Sequence, residues 1–205
     1  MTEFAIYLAS ASPRRQTLLT QIDVRFQQVE VAVDESRQGG ESPADYVCRL
    51  ALEKARAGMA KRPAGDTRPV LGADTIVMAG DEVLGKPRDR DHGLHMLALL
   101  SGRTHAVLSA VAVVAETEAV CCSESFVTFR ELNDTERLAY WASGEPADKA
   151  GAYAIQGLAA AFIARLEGSY SGVMGLPLFE TARLLSRVGI DVMAQRQPQG
   201  MERDE

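Results

Sequence analysis

The chain has 205 residues, 46% of them hydrophobic and 24% charged, which suits one ample soluble domain with a sizeable core. Its 28 acidic residues against 22 basic ones give a formal charge of −6, which argues against a general affinity for nucleic acid but leaves room for a local basic pocket. No apolar run approaches a membrane span, and the N-terminus lacks a basic region followed by an apolar core and a cleavage site, so neither a membrane partner nor a signal peptide is expected.

Residues 4–9 (FAIYLA) read as a short apolar strand, and residues 16–21 continue as helix. Between them lies Ser10-Ala11-Ser12-Pro13-Arg14-Arg15. A strand-to-helix turn aims free N–H groups and the positive end of the helix dipole at one point, and arginine adds a rigid fork of donors suited to phosphate. Two readings are open here: a polyphosphate cradle without Walker glycines, or a solvated helix start with Ser12 as N-cap and Pro13 at the first helical position. A second strand falls around 26–31. Ser42-Pro43-Ala44-Asp45 then opens a long helix, with a capping box, that runs to about Lys61.

Residues 69–78 read as a strand, Gly80-Asp81 as a turn, and 82–84 as a short extended piece. A helix over 89–100 closes at Ser101-Gly102. Residues 104–115 and 119–130 form two long strands, paired antiparallel, and 134–143 is helical. The Gly- and Ala-rich stretch 148–175 includes a strand at 159–166. Residues 176–188 form a helix with Pro177 in its first turn, and the polar segment from Gln195 lacks any apolar period. Strands and helices thus alternate from end to end, the pattern of an α/β protein. The expected organisation is one domain over 1–193 with a disordered tail at 194–205. Cys48, Cys121 and Cys122 have neither disulfide nor zinc spacing and read as buried free thiols.

Three polar residues break the apolar pattern of their elements. Val47, Leu50, Ala51 and Lys54 stand at i, i+3, i+4 and i+7, so Lys54 shares the buried stripe and must snorkel or meet an anion. Val70, Gly72, Asp74, Ile76 and Met78 line one strand face, so Asp74 sits among apolar neighbours and needs a cation, a metal or several donors. Gln156 interrupts an apolar stretch; its amide complements the imide edge of thymine or uracil, or else is a buried structural amide bonded to backbone. Lys86 lies in the basic turn Lys86-Pro87-Arg88, and Glu35 in an acidic loop, each of which could be plain solvated surface. Together, acids at Glu35 and Asp74 and bases at Arg14, Lys54 and Lys86 form the inventory of a metal-assisted polyphosphate hydrolase. The three histidines have no zinc spacing, and no serine lies in a G-x-S-x-G context.

These segments resemble the Maf family of nucleoside triphosphate pyrophosphatases. The residues that carry the resemblance are LASASPRR from Leu8, DES from Asp34, EKA from Glu53, LGADT from Leu71, GKPRD from Gly85, LSGRTH from Leu100, DKAGAYAIQG from Asp148 and GSYSGVMGLP from Gly168. The match spans nearly the whole chain. It implies a cytoplasmic enzyme, dependent on Mg²⁺ or Mn²⁺, that cleaves a nucleoside triphosphate to the monophosphate and pyrophosphate, often as a homodimer. It also implies a twisted mixed central sheet flanked by helices, similar to inosine triphosphate pyrophosphatase-like folds. By the resemblance, Asp74 is the proton acceptor, and Arg14, Thr75 and Gln156 select the substrate. Ser12, Arg15, Glu35, Lys54 and Lys86 then belong to the phosphate and metal neighbourhood, and Ser10, in the same turn, is read as substrate-binding.

The AGAYAIQG segment is similar to the branch acting on dTTP and UTP; the branch acting on 7-methyl-GTP carries an acid there. A cationic 7-methylguanine favours a carboxylate, whereas a neutral pyrimidine imide suits an amide. The expected mechanism has the Ser10–Arg15 turn gripping the triphosphate, with Glu35 and Asp74 helping to bind the metal. Asp74 activates water for attack at the α-phosphorus, Lys54 and Lys86 stabilise the developing charge, and Gln156, helped by Thr75, reads the base. The rival readings are a 7-methyl-GTP pyrophosphatase and a nucleotide-binding regulator of septum formation. Pure binding does not need a water-orienting carboxylate in a strand, which favours the enzyme.

Overall fold

The structure is a computed structural model and describes residues 4–193. Its elements are β1 (Ile6–Leu8), α1 (Pro13–Gln21), β2 (Phe26–Gln28), α2 (Pro43–Ala60), β3 (Val70–Ala79), β4 (Glu82–Leu84), α3 (Arg90–Leu100) and β5 (Thr104–Val114). They continue with β6 (Glu118–Phe129), α4 (Asp134–Ala142), β7 (Ile163–Glu167), α5 (Tyr170–Met174) and α6 (Leu178–Arg187), with three short 3₁₀ turns between α4 and β7. The helix starts follow local chemistry. Ser42 accepts from the Asp45 N–H with Pro43 behind it, and Asn133 and Glu136 close a reciprocal capping box on α4.

Among the described residues, seven strands form one mixed sheet in the order β2-β1-β3-β5-β6-β7, with β4 also paired to β3. β1 is parallel to β2 and β3, and the remaining pairs are antiparallel. β5 accompanies one edge of β3 from Val70 to Met78. The other edge is shared: β1 takes Val70 and Leu71, and β4 takes Val77, Met78 and Ala79. Among the described residues, 72–76 therefore have no strand partner on that edge. The sheet is open there, directly beyond the end of β1.

Alternation along β3 sends its even-numbered residues to one face. There Ile76 and Met78 pack with Val47, Ala51 and Ala55 of α2 and with Leu108, Ala110 and Ala112 of β5. The opposite face is covered by α1 and α6, where Leu18, Leu19, Leu184 and Leu185 meet Leu71, Ala73 and Val111. Further along, Met96, Leu97 and Tyr140 of α3 and α4 pack on Val77 and Val107. Gly72 is what lets α2 approach: a Cβ there would stand 2.3 Å from the Ala51 carbonyl oxygen and 2.5 Å from the Ala55 nitrogen.

The α/β reading and the mixed sheet flanked by helices hold. Three stretches differ: the strand expected around 26–31 ends at Gln28, a short helix not expected there occupies Tyr170–Met174, and residues 158–162 are a 3₁₀ turn, so that the strand begins only at Ile163. The Glu145 carboxylate takes the Leu158 N–H at 2.9 Å and the Ala159 N–H at 3.4 Å, capping a helical turn that alanines accept readily. The thiols are free, but Cys48 and Cys121 are half-buried and Cys122 is exposed, not buried as expected, because the even-numbered positions from 118 to 124 of β6 face outward. The tail expected at 194–205 lies outside the described residues. Among those described, no helix is long and apolar enough to cross a membrane.

Candidate active site

At the end of β1 the chain turns through buried Ser10 into α1, with Ser12 at the N-cap and Pro13 at the first helical position. The Ser12 side chain makes no capping hydrogen bond, so the cap geometry leaves its hydroxyl and the first helical N–H groups for a ligand. Ser10 Oγ instead accepts from the Ser12 N–H at 3.3 Å and from Arg15 Nη1 at 3.0 Å. Arg15 also donates from Nε to the Gly175 carbonyl at 2.8 Å. Its partners are thus neutral, and burial draws its pKa below the ordinary guanidinium value, against a counteracting pull from Asp74. A half-buried guanidinium without a salt bridge among the described residues is suited to receive an anion. The helix-cap geometry expected of this turn is present, and it leaves in place the donors that a cradle would use.

Lys54 reaches across from α2 because Gly72 admits the helix so closely. Its Nζ stands 2.7 Å from Asp74 Oδ1 and 2.7 Å from Glu35 Oε1. The Lys54 and Asp74 side chains are 13% and 12% exposed and Glu35 63%, so the buried lysine meets two anions rather than snorkelling. The hydrogen bond from Lys54 holds the Glu35 pKa below its usual range. An ammonium has three donors, and two are engaged here, leaving one for a substrate oxygen. The loop bearing Glu35 is fastened to α2 by two side chains. The Tyr46 hydroxyl donates to the Glu35 carbonyl at 2.6 Å, and Arg49 Nη2 donates to the Ser36 carbonyl at 3.0 Å.

The far wall is the segment between α4 and β7. Asp148 lies 3.7 Å from Arg14 and also pairs with Lys149, whose side chain is only 14% exposed. Gly151 and Ala152 follow with φ of 68° and 57°, two successive left-handed residues that bend the chain back over Val77. The Tyr140 hydroxyl donates to Glu145 at 2.7 Å and accepts the Ala154 N–H at 3.1 Å, holding the segment down. Gln156 is thereby presented, exposed, at the rim with no side-chain hydrogen bond among the described residues. The alternative of a buried structural amide does not hold. Lys86, also exposed, closes the mouth from the loop after β4.

These parts surround one cleft of about 510 Å³ at the open stretch of the sheet. Ser10, Ser12, Arg14, Arg15, Glu35, Lys54, Asp74, Thr75, Lys86 and Gln156 all line it. So do Tyr46, Asp148 and Lys149, which pattern reading did not select: an adjacent Asp-Lys pair in a loop looks like solvated surface, and no period marks it. Five cationic side chains face three carboxylates, so the cleft is basic within an acidic protein. Among the described residues no three His, Cys, Asp or Glu side chains gather as a closed metal cage. The two carboxylates Glu35 and Asp74, which flank Lys54 in the cleft, would suit a hard divalent cation such as Mg²⁺ or Mn²⁺.

The sequence matches the Maf-like protein family over residues 5–188. It is 57% identical to the dTTP/UTP pyrophosphatase of Alkalilimnicola ehrlichii, over 91% of this chain and 94% of that one. It is 52% identical to the proteins of the same name from Saccharophagus degradans, over 94% and 93% of the two chains, and from Escherichia coli O157:H7, over 89% and 92%. A crystal structure of a dITP/XTP pyrophosphatase from Mycobacterium abscessus covers 60% of this chain and 72% of its own at 20% identity, with a TM-score of 0.35.

Proposed function

The chain belongs to the Maf-like protein family, and we propose that it hydrolyses dTTP and UTP to the monophosphate and pyrophosphate. The observation that carries this reading is Lys54 Nζ at 2.7 Å from both Glu35 and Asp74, beneath the Ser10–Arg15 turn. A carboxylate able to orient water thus lies beside donors suited to polyphosphate, which supports the reading. The full-length relatives named dTTP/UTP pyrophosphatase supply the substrate class.

In this reading the free N–H groups at the start of α1, the Ser12 hydroxyl, Arg14 and Arg15 hold the triphosphate. Lys86 and Lys149 add charge from the other wall. Asp74 orients a water and takes its proton as the oxygen bonds to the α-phosphorus. The bond from that phosphorus to the bridging oxygen breaks, and pyrophosphate leaves with the electron pair. Lys54 stays fixed by Glu35 and Asp74 and gives its third N–H to the charge that builds. Glu35 and Asp74 would hold a Mg²⁺ or Mn²⁺, which when bound would neutralise phosphate charge. Gln156, exposed at the rim, and Thr75 read the base. The reading extends to a cytoplasmic homodimer; residues 118–125 of β6, whose outer edge has no partner strand among the described residues, and exposed Phe179 offer surface for a second copy.

The deciding experiment incubates the purified chain with a panel of nucleoside triphosphates plus Mg²⁺ or Mn²⁺ and resolves the products. Pyrophosphate and monophosphate from dTTP and UTP are expected. Release of orthophosphate, or preference for 7-methyl-GTP, would overturn the proposal.

A further inference from the structure

Ser109 of β5 lies opposite Thr75 of β3 and is 1% exposed. Its Oγ stands 2.6 Å from the Gly172 carbonyl oxygen of α5 and 2.8 Å from Thr75 Oγ1. A carbonyl oxygen can only accept, and a serine hydroxyl has one proton. That proton is committed to Gly172, so the bond between the two hydroxyls runs one way: Thr75 donates and Ser109 accepts. Thr75 then has no proton left for the cleft it lines, only lone pairs. We propose that Ser109 is a specificity-determining positioning residue, which makes Thr75 an acceptor-only group for the imide N3–H of uracil or thymine. The inference rests on the pyrimidine nucleotide reading above.

The direction of that bond limits what Thr75 can touch. An acceptor-only oxygen repels an ionised phosphate, so Thr75 is no part of the phosphate grip, although Gly175 links it to Arg15: a Cβ on that glycine would lie 3.7 Å from both Thr75 Oγ1 and Arg15 Nε. The N–H and O–H donors of a pyrimidine nucleotide lie on its base and sugar. Uracil carries N–H at N3, where cytosine carries a bare lone pair. A freely turning hydroxyl would serve either base, whereas one held by Ser109 serves only the first. Gly172 does not depend on this arrangement, because its carbonyl also accepts the Gly175 N–H at 2.9 Å. Loss of the Ser109 hydroxyl therefore frees Thr75 without leaving α5 unsatisfied.

The test compares kcat/KM for pyrophosphate release from UTP and CTP in wild type, Ser109→Ala and Ser109→Thr. The UTP:CTP ratio should fall about tenfold in Ser109→Ala, the worth of one mispaired hydrogen bond, and recover in Ser109→Thr, which keeps the hydroxyl. N3-methyl-UTP should be a poorer substrate than UTP for the wild type by a similar factor, and that penalty should shrink in Thr75→Val. This second comparison decides the matter even if Ser109→Ala does not fold. An unchanged ratio in folded Ser109→Ala, or an equal N3-methyl penalty with and without the Thr75 hydroxyl, overturns the inference. So does a 3′-deoxy analogue whose penalty, rather than the N3-methyl one, vanishes in Thr75→Val, since the acceptor would then face the sugar. A wild type that releases no pyrophosphate from any pyrimidine triphosphate overturns the underlying reading instead.

Discussion

Asp74 and Lys54 can be separated by what each mutation leaves behind. Asp74→Asn keeps the shape and a hydrogen-bonding oxygen for Lys54 but removes the proposed proton acceptor. Turnover should drop by about 10²–10⁴-fold, while nucleotide binding by calorimetry persists. Turnover near that of the wild type would take Asp74 out of the reaction. Both residues were legible in the sequence because each violates the apolar period of its element, and burial forces such residues to find partners. Tyr153 was legible only through the AGAYAIQG resemblance, and Ser109 carried no such violation, since a serine in a strand breaks no pattern. His105 was equally silent. Its Nε2 lies 2.9 Å from the Tyr153 hydroxyl on the cleft wall, and burial pushes its pKa down to about 4. An unfolded histidine titrates near 6.5, so between those values the unfolded chain binds a proton that the folded chain refuses. Stability should be greatest above about pH 6.5 and fall as the pH drops toward 4, by up to about 1.4 kcal/mol per unit. Denaturant melts across that range should show a shallower slope for His105→Gln; an identical slope would assign the pH dependence elsewhere.

The pairing of α2 with β3 carries the site, and Gly72 controls it. The β3 face was readable from its alternation, and the α2 stripe from its spacing of three and four. Their separation was not, because nothing in either pattern says how close a helix axis lies to a strand. With a Cβ at 2.3 Å from the Ala51 carbonyl and 2.5 Å from the Ala55 nitrogen, Gly72→Ala must push backbone from backbone. A cost of about 3 kcal/mol is expected, at the upper end of overpacking penalties. The same shift lifts Lys54 off Asp74, so activity should fall further than the loss of folded protein explains. Gly39→Ala, where a Cβ meets nothing within 4 Å, is the control and should leave the denaturation midpoint almost unmoved. Equal stability of the two variants would mean that α2 is free to retreat. The 3₁₀ turn at residues 158–162 shows the complementary limit. Alanines in a row fit several backbone shapes, and the Glu145 carboxylate that chose among them is thirteen residues from the Leu158 N–H it caps.

At the scale of the molecule, the cleft joins parts of the chain that the sheet alone would leave loosely connected. The start of α1, the Glu35 loop, the open stretch of β3, the Lys86 turn and the segment from Asp148 to Gln156 contribute side chains, and Gly175 adds the carbonyl that holds Arg15. Without an anion, several like charges face each other there, and Asp148 is the carboxylate that stands between Arg14 and Lys149. A bound triphosphate replaces that repulsion with contacts to both walls, so binding should stabilise the whole fold rather than one loop. Asp74→Asn is the form in which to measure this, because the ligand survives the scan. With dTTP and Mg²⁺ at a hundredfold excess over Kd, linkage gives about 2.7 kcal/mol. For a chain of this size that is a rise of roughly 5–10 °C in Tm. The rise should shrink in Arg15→Ala, which removes both the anion contact and the tether to Gly175. Inorganic phosphate in place of the nucleotide should give much less, since it cannot reach from the α1 turn to Gln156. A nucleotide that left the melting temperature where it was, or phosphate that matched it, would mean that the two walls do not close on one ligand.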